Sequence, residues 1–193
     1  MRRVCVYAGS NPGCDPAYAD AARALATEMA ERDIGLVYGG GKVGLMGVLA
    51  DTILQAGGEA IGVMPQALID REIGHPNLTE LKVVDSMHAR KAQMAELADG
   101  FIAVPGGIGT LEELIEVYTW SQLGIHENGC GVLNTRGYYD GLVAFLDHAV
   151  DEAFLRPQHR ATLLVEEDPR ALLDALATFE RPTVGKWLEL DQT

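Results

Sequence analysis

The chain has 193 residues, 48% of them hydrophobic and 22% charged, a globular composition long enough for one domain with a large core. Lys and Arg number 15 against 28 Asp and Glu, a formal charge of −13, which argues against nucleic acid or an anionic membrane as partner. No apolar run approaches the roughly 20 residues of a membrane span, and no long apolar segment precedes Ser10-Asn11-Pro12-Gly13, so no secretory signal is expected.

Residues 4–7 predict a short strand that is apolar on both faces. Asp15-Pro16 predicts the start of an alanine-rich helix over 17–32. A strand over 35–38 ends in Gly39-Gly40-Gly41. A helix over 44–56 is stopped by Gly57-Gly58, and a strand over 60–64 is broken by Pro65. Residues 66–79 read as irregular, with Gly74, Pro76 and Asn77 as loop formers. Strand 81–84 and helix 87–98 follow. Strand 101–104 then runs into Pro105-Gly106-Gly107 and a helix over 111–123. Strand 131–133, helix 139–152, strand 163–165 and helix 169–178 complete the pattern. Residues 1–180 form a single domain, and 181–193 read as a tail packed by Trp187. Six or seven strands alternating with helices predict an α/β fold, a Rossmann-like doubly wound sandwich on a mostly parallel sheet.

Three cysteines (Cys5, Cys14, Cys130), an odd count without CxxC spacing, argue against a disulfide framework or zinc site and for a reducing cytoplasm. Cys5 lies in an apolar strand, where a thiol is inert packing. No His/Asp/Glu cluster has ligand spacing, so no metal is expected, and no cofactor is called for.

In open α/β sheets ligands bind beyond the carboxyl ends of the strands. Two glycine clusters fall there: Gly39-Gly40-Gly41-Lys42-Val43-Gly44-Leu45-Met46-Gly47, and Pro105-Gly106-Gly107-Ile108-Gly109-Thr110. Glycines let backbone N–H groups approach an anion, and a following helix adds its positive end. Both clusters therefore look like phosphate cradles; the plainer reading is tight strand-to-helix turns. Neither matches a Walker loop or the dinucleotide fingerprint.

Thr110-Leu111-Glu112-Glu113 has two readings. As a capping box, Thr110 and Glu113 satisfy helix N–H groups. As a site, Thr110 meets phosphate and Glu113 the sugar. The helix stripe Leu111, Leu114, Ile115, Tyr118 is expected to face the core, and the pattern alone does not choose among Glu112, Glu113 and Glu116. Ser86-Met87-His88-Ala89-Arg90-Lys91 opens another helix after a strand. Two cations in a first turn oppose the helix dipole, a cost an anionic ligand offsets; simple surface charge is the alternative. Asp70-Arg71-Glu72 sits in the longest irregular segment, which could cover a site. Between Arg32 and Arg136 the basic residues are Lys42, Arg71, Lys82, Arg90 and Lys91, and all but Lys82 fall in these motifs.

Together these residues resemble the Lonely Guy (LOG) family of cytokinin riboside 5′-monophosphate phosphoribohydrolases. The likeness rests on the 39–47 glycines, Arg71-Glu72-Ile73, Ser86-Met87-His88 with Arg90-Lys91, and the signature PGGxGTxxE, here Pro105, Gly106, Gly107, Gly109, Thr110 and Glu113. Residues 119–126 and Gly137-Tyr138-Tyr139-Asp140 also fit. The resemblance implies a dimeric Rossmann-like hydrolase that releases adenine or an N6-modified adenine from its nucleoside 5′-monophosphate. It implies Arg90 and Glu113 as the catalytic pair. Gly106, Gly107, Ile108, Gly109, Thr110, Leu111, Glu112 and Glu113 would hold phosphate and sugar, completed by Glu72, Met87, Arg90, Lys91 and Thr119. Gly9, Ser10, Gly40, Gly41 and Gly44 would form a secondary phosphate loop. Two other readings stand beside it: a broader purine-monophosphate nucleosidase, and a nucleotide-binding module without catalysis.

Overall fold

Strand β1 (Arg3–Tyr7) is buried along four of its five residues, so it must lie inside a sheet covered on both faces. The computed structural model, which describes residues 1–70 and 74–182, places it there. The other strands are β2 (Gly35–Tyr38), β3 (Ala60–Pro65), β4 (Glu80–Val84), β5 (Phe101–Ala103), β6 (Cys130–Leu133) and β7 (Leu163–Glu166). They form one sheet in the order β4-β3-β2-β1-β5-β6-β7. Every pairing is parallel, stricter than the mostly parallel sheet expected.

The helices are α1 (Pro16–Glu31), α2 (Gly44–Gln55), α3 (Gln66–Ile69), α4 (Met87–Glu96), α5 (Ile108–Leu123), α6 (Asp140–Asp151), α7 (Pro157–Arg160) and α8 (Pro169–Ala177). Side-chain alternation along the strands divides the core in two. Val4, Val6, Leu36 and Tyr38 pack on α1, α2 and α8 through Leu25, Met29, Leu49, Ile53 and Leu172. Cys5, Tyr7, Val37 and Val63 face the other way, onto Met94 of α4, Leu114 and Tyr118 of α5 and Leu146 of α6. Each large apolar side chain fully buried in these layers contributes roughly 1.5–3 kcal/mol. The edge strand β4 carries Glu80 and Lys82, joined by a salt bridge of 2.7 Å; charge on an edge discourages pairing with another chain.

The chain reverses its direction of travel across the sheet at one place. From β1 it steps outward through β2 and β3 to β4, then returns to β5 on the other side of β1. The crevice at that switch point, between the carboxyl ends of β1 and β5, is where such sheets bind ligands.

Helix starts differ in a way that matters there. Asp15 caps α1 by accepting the Ala17 N–H at 2.9 Å, Ser86 caps α4 through the Ala89 N–H at 3.1 Å, and Asp168 caps α8 through the Ala171 N–H at 2.9 Å. The two helices that follow the glycine clusters, α2 and α5, have Val43 and Gly107 at the N-cap and no side-chain cap, as do α3, α6 and α7.

Several expectations need correction. Helix α5 starts at Ile108, three residues before the predicted position 111, with Gly107 as its cap residue. Thr110 therefore lies inside the first turn, and the capping-box reading fails. The buried stripe of α5 is Thr110, Leu114, Val117, Tyr118 and Ser121. Ile115 points outward and Leu111 is only half-buried, because the helix packs on the sheet through the neighbouring stripe, which shares only Leu114 and Tyr118 with the expected one. The segment 66–79 is not wholly irregular, since α3 forms its beginning, and α7 was not foreseen. Glu72, with Arg71 and Ile73, and the expected Trp187 packing lie outside the described residues.

Candidate active site

The switch-point crevice is a cleft of about 250 Å³ lined by Gly9, Ser10, Asn11, Pro12, Gly13, Tyr18, Leu45, Pro105, Gly106, Gly107 and Tyr138. Four of its eleven lining residues are glycines, which bring backbone to the surface. The Gly9 N–H donates to the Pro105 carbonyl at 3.2 Å, tying the loop after β1 to the loop after β5. A side chain at Gly9 or Gly106 would press on that contact: a Cβ at Gly106 would meet the Thr110 side chain and the Gly9 nitrogen. The cleft reaches Gly107, where the first-turn N–H groups of α5 lack intrahelical partners and carry the positive end of the helix dipole.

The two glycine clusters serve different ends. In the 39–47 cluster, the Leu45 N–H donates to the Gly9 carbonyl at 3.0 Å. Gly44 has φ +60° and lies against the backbone of Ser10 and Asn11, where any side chain would collide. This cluster thus braces the 9–11 loop from behind. Gly40 and Gly41 do not line the cleft. The Gly40 carbonyl accepts the His75 N–H at 2.9 Å, and Gly41 pairs with Gly74 in an antiparallel bridge. His75 is itself buried, its Nε2 3.1 Å from Asp51 and its Nδ1 accepting the Asn77 N–H at 3.2 Å. The segment after residue 73 is thereby pinned over the glycine turn.

Arg90 and Lys91 are neighbours in sequence, yet about 100° apart around α4, so they go to different places. Arg90 turns toward the strand ends. Its Nε donates to the Val63 carbonyl at 3.1 Å, its Nη1 lies 3.9 Å from the Met87 sulfur, and its terminal nitrogen stands 3.6 Å from Glu113. Both partners of that pair are largely buried, with side-chain exposures of 12% and 14%. Lys91 instead bridges to α5, 2.5 Å from Glu112 and 3.0 Å from Glu116. Glu112 is the outermost of the three acids of α5, at 53% exposed. Of the three acids, Glu113 is the most buried and the one turned inward to the guanidinium.

Burial, more than any neighbour, pushes the Glu113 carboxyl above its usual range, and the Arg90 charge opposes the shift. Two buried groups of β1 feel the same carboxylate: desolvation first, then Glu113 among other groups, raises the Tyr7 phenol, and the Cys5 thiol is raised in the same way. Lys91 is raised by its hydrogen bonds to Glu112 and Glu116. Glu113 lies six residues along α5 from Gly107, about 9 Å at 1.5 Å per residue. An anion at the helix start and a reacting group at Glu113 would be about that far apart.

The remaining expected site residues scatter more widely. Thr110 is buried behind Gly106. Ile108 is 82% exposed at the head of α5. Gly109 has open space around it. Thr119 donates to the Ile115 carbonyl at 2.7 Å and lies with Ile108, Leu111, Ile115 and Trp120 along a shallow groove on the outer face of α5. Sequence reasoning missed Tyr18 and Tyr138 as walls of the cleft, and it read Gly39 as part of a phosphate cradle, whereas its missing side chain makes room for Arg90. The Gly-Tyr-Tyr-Asp pattern was the available signal for Tyr138. Among the described residues no group of three or more His, Cys, Asp or Glu is arranged to hold a metal, and no helix is long and apolar enough to cross a membrane.

A doubly wound sheet with a glycine-rich cleft at its switch point, and a buried carboxylate on the helix that starts there paired with a guanidinium, defines a Rossmann-like protein suited to a small anionic ligand. The family model described as "Possible lysine decarboxylase" matches residues 46–176. The chain is 48% identical over 180 residues to the cytokinin riboside 5′-monophosphate phosphoribohydrolase LOG7 of Arabidopsis thaliana, covering 93% of this chain and 83% of that one. It is 47% identical to LOG1 of the same plant, covering 100% and 92%, and 48% identical to the probable enzyme LOGL2 of Oryza sativa subsp. japonica, covering 93% and 73%. The chain belongs to the LOG family. Solved structures of a molybdenum cofactor binding protein from Rippkaea orientalis (TM-score 0.69, 19% identity, 92% of this chain and 96% of that) and of the molybdenum cofactor carrier protein from Chlamydomonas reinhardtii (TM-score 0.66, 18%, 93% and 99%) share its fold.

Proposed function

We propose that this protein hydrolyses the N-glycosidic bond of adenosine 5′-monophosphates, N6-modified ones included, giving the free base and ribose 5-phosphate. The observation that carries the reading is the Glu113–Arg90 pair, buried and 3.6 Å apart, with Glu113 on the helix whose start closes the cleft. Membership of a family whose named relatives are phosphoribohydrolases supports it.

Breaking the C1′–N9 bond builds positive charge on the sugar, as in other glycosidic cleavages. The electron pair leaves with the base, which takes up a proton, while water adds to C1′. A carboxylate held beside the ribose stabilises the charge and accepts the proton of the attacking water or a sugar hydroxyl. Glu113 fills that role. Arg90 cannot serve as the acid, since a guanidinium does not give up its proton; its charge opposes the effect of burial on Glu113, and it orients the substrate. The 5′-phosphate belongs at Gly106, Gly107 and the first turn of α5, against Gly9 and Ser10 of the neighbouring loop. Binding energy there holds the sugar over Glu113.

The family model's description raises a different chemistry, in which a lysine amine would form an imine with pyridoxal phosphate. Such a lysine needs a lowered pKa. Lys91, beside Arg90, is raised by Glu112 and Glu116 instead and does not fit that use.

The reading includes a homodimer in the cytoplasm. An apolar groove of about 500 Å³ along the outer face of α5, walled by Ile108, Leu111, Ile115 and Trp120, suits a second copy. The free cysteines suit a reducing compartment.

A substrate panel tests the activity. Base release is measured from AMP, isopentenyladenosine 5′-monophosphate, GMP, CMP and adenosine. Both adenine nucleotides should be cleaved, with adenosine at least about 100-fold worse in kcat/KM, the size of a lost multidentate phosphate contact. Equal kcat/KM for AMP and adenosine would remove the phosphate site. Equal rates for GMP would favour the broader purine nucleosidase.

A further inference from the structure

Two successive tyrosines at the start of α6 send their hydroxyls to one loop. Tyr139 donates to the Val104 carbonyl at 2.8 Å, and Tyr138 donates to the Gly106 carbonyl at 2.5 Å. Between them the Pro105 carbonyl accepts the Gly9 N–H at 3.2 Å. Three consecutive carbonyls of the Val104–Pro105–Gly106 turn are thus each held by a donor from outside it. In a trans peptide the next residue's N–H points opposite to the carbonyl. Holding the Pro105 and Gly106 carbonyls therefore aims the Gly106 and Gly107 N–H groups.

The tyrosines are braced in turn. The Tyr139 N–H donates to the Asn134 side-chain oxygen at 2.7 Å, and the Asn134 amide donates to Asp140 at 2.8 Å. The Tyr138 ring packs edge-on against Tyr18 at 5.7 Å and Tyr139 at 5.1 Å. Arg136, in the left-handed turn that delivers them, reaches Asp15 at 3.4 Å, on the loop that walls the cleft. The two tyrosines differ in setting. Tyr139 is buried, whereas Tyr138 is 43% exposed at the cleft, so its hydroxyl is not needed for the core.

A Gly-Gly peptide has wide conformational freedom. Left to itself it could rotate and turn its donors away from an anion, and fixing it beforehand spares the ligand that ordering cost. We propose that Tyr138 is a positioning residue for phosphate: its hydroxyl locks the Gly106–Gly107 peptide with its N–H available to the 5′-phosphate, and Tyr139 anchors the same turn from below. This rests on the functional reading above, in which that loop binds the phosphate.

Tyr138→Phe keeps the ring and its packing and removes the hydroxyl alone. Steady-state rates with AMP and adenosine, calorimetric binding of ribose 5-phosphate, and Tm should be measured for both proteins. Donors that contact phosphate equally in ground and transition states affect KM and not kcat. The variant should raise the KM for AMP and the Kd for ribose 5-phosphate by about fivefold to tenfold, the size of one hydrogen bond. Its kcat for AMP, its kcat/KM for adenosine and its Tm should hold. Unchanged KM and Kd would overturn the role of Tyr138, and so would equal losses for AMP and adenosine with a lowered Tm, the mark of a merely structural residue. A wild-type protein that neither prefers AMP nor binds ribose 5-phosphate would instead sink the phosphate reading itself.

Discussion

The terminal nitrogen of Arg90 occupies the space that a side chain on Gly39 would fill. Gly39 follows β2, and Arg90 comes from α4, so the contact joins the first glycine cluster to the Arg90–Glu113 pair. The neighbour that must give way is the end of a flexible side chain, not backbone. Gly39→Ala should therefore fold and yet displace the guanidinium from Glu113. We expect kcat for AMP to fall at least about tenfold, since small misplacements of catalytic groups cost that much or more, with Tm within about 3 °C of wild type. Wild-type kcat in the variant would show that Arg90 need not stand where it does. Gly44→Ala is the contrast. There φ is +60° and the obstacle is the Ser10–Asn11 backbone, so stability should drop.

Glu113 gives a prediction with two opposite signs. Burial raises its pKa in the folded protein, so the native state binds this proton more tightly than the unfolded chain does. Its stabilising contribution is present at low pH and is lost as pH rises through the folded pKa. In the proposed reaction Glu113 acts in its ionised form. The acid limb of kcat/KM should therefore lie above the ordinary carboxylate value of about 4.3. Glu113→Gln mimics the protonated state. It should lose at least about 100-fold in kcat while matching or exceeding wild-type Tm at neutral pH, and that Tm advantage should shrink as pH falls. Wild-type turnover by the Gln variant would remove Glu113 from the chemistry; a lower Tm at pH 7 would contradict the burial argument.

The cysteines are separated by burial. Cys5 and Cys130 are buried and Cys14 is exposed. Desolvation raises the Cys5 thiol far above its normal value and pushes Cys130 up to about 12, so neither offers a thiolate at neutral pH. Iodoacetamide under native conditions should give one adduct, at Cys14, by peptide mass spectrometry. Modification of Cys5 or Cys130 before unfolding would show that the strand core opens.

Much of this protein was legible in the order of its residues. Local patterns carried the strands, because β1, β2 and β3 are apolar runs bounded by glycine or proline, and these signals act within a few residues. They also carried the placing of both glycine clusters at strand ends, and the PGGxGTxxE and Met-His-x-Arg-Lys motifs that mark the family. Where one residue decides a helix start, local reading slipped. Gly107 caps α5 without a side-chain bond, so no capping side chain flagged a start at Ile108; separately, the apolar Leu111 and Ile115 drew the expected stripe to one side of the face that is buried, which includes Thr110 and Ser121.

What only the tertiary structure decided are the pairings between segments far apart in the chain. The strand order sets β1 beside β5, and that neighbourhood alone brings Gly9 onto Pro105. Arg90 and Lys91 are alike as sequence, yet the packing of α4 against the sheet sends one to Glu113 and the other to Glu112 and Glu116. Tyr138 and Tyr139 gain their role only because the turn before α6 lies over the loop after β5. A sequence fixes propensities over a turn or two; which side chains meet across 20 or 30 residues is settled by the packing of whole layers, where burying one face of each element leaves a single arrangement that pays.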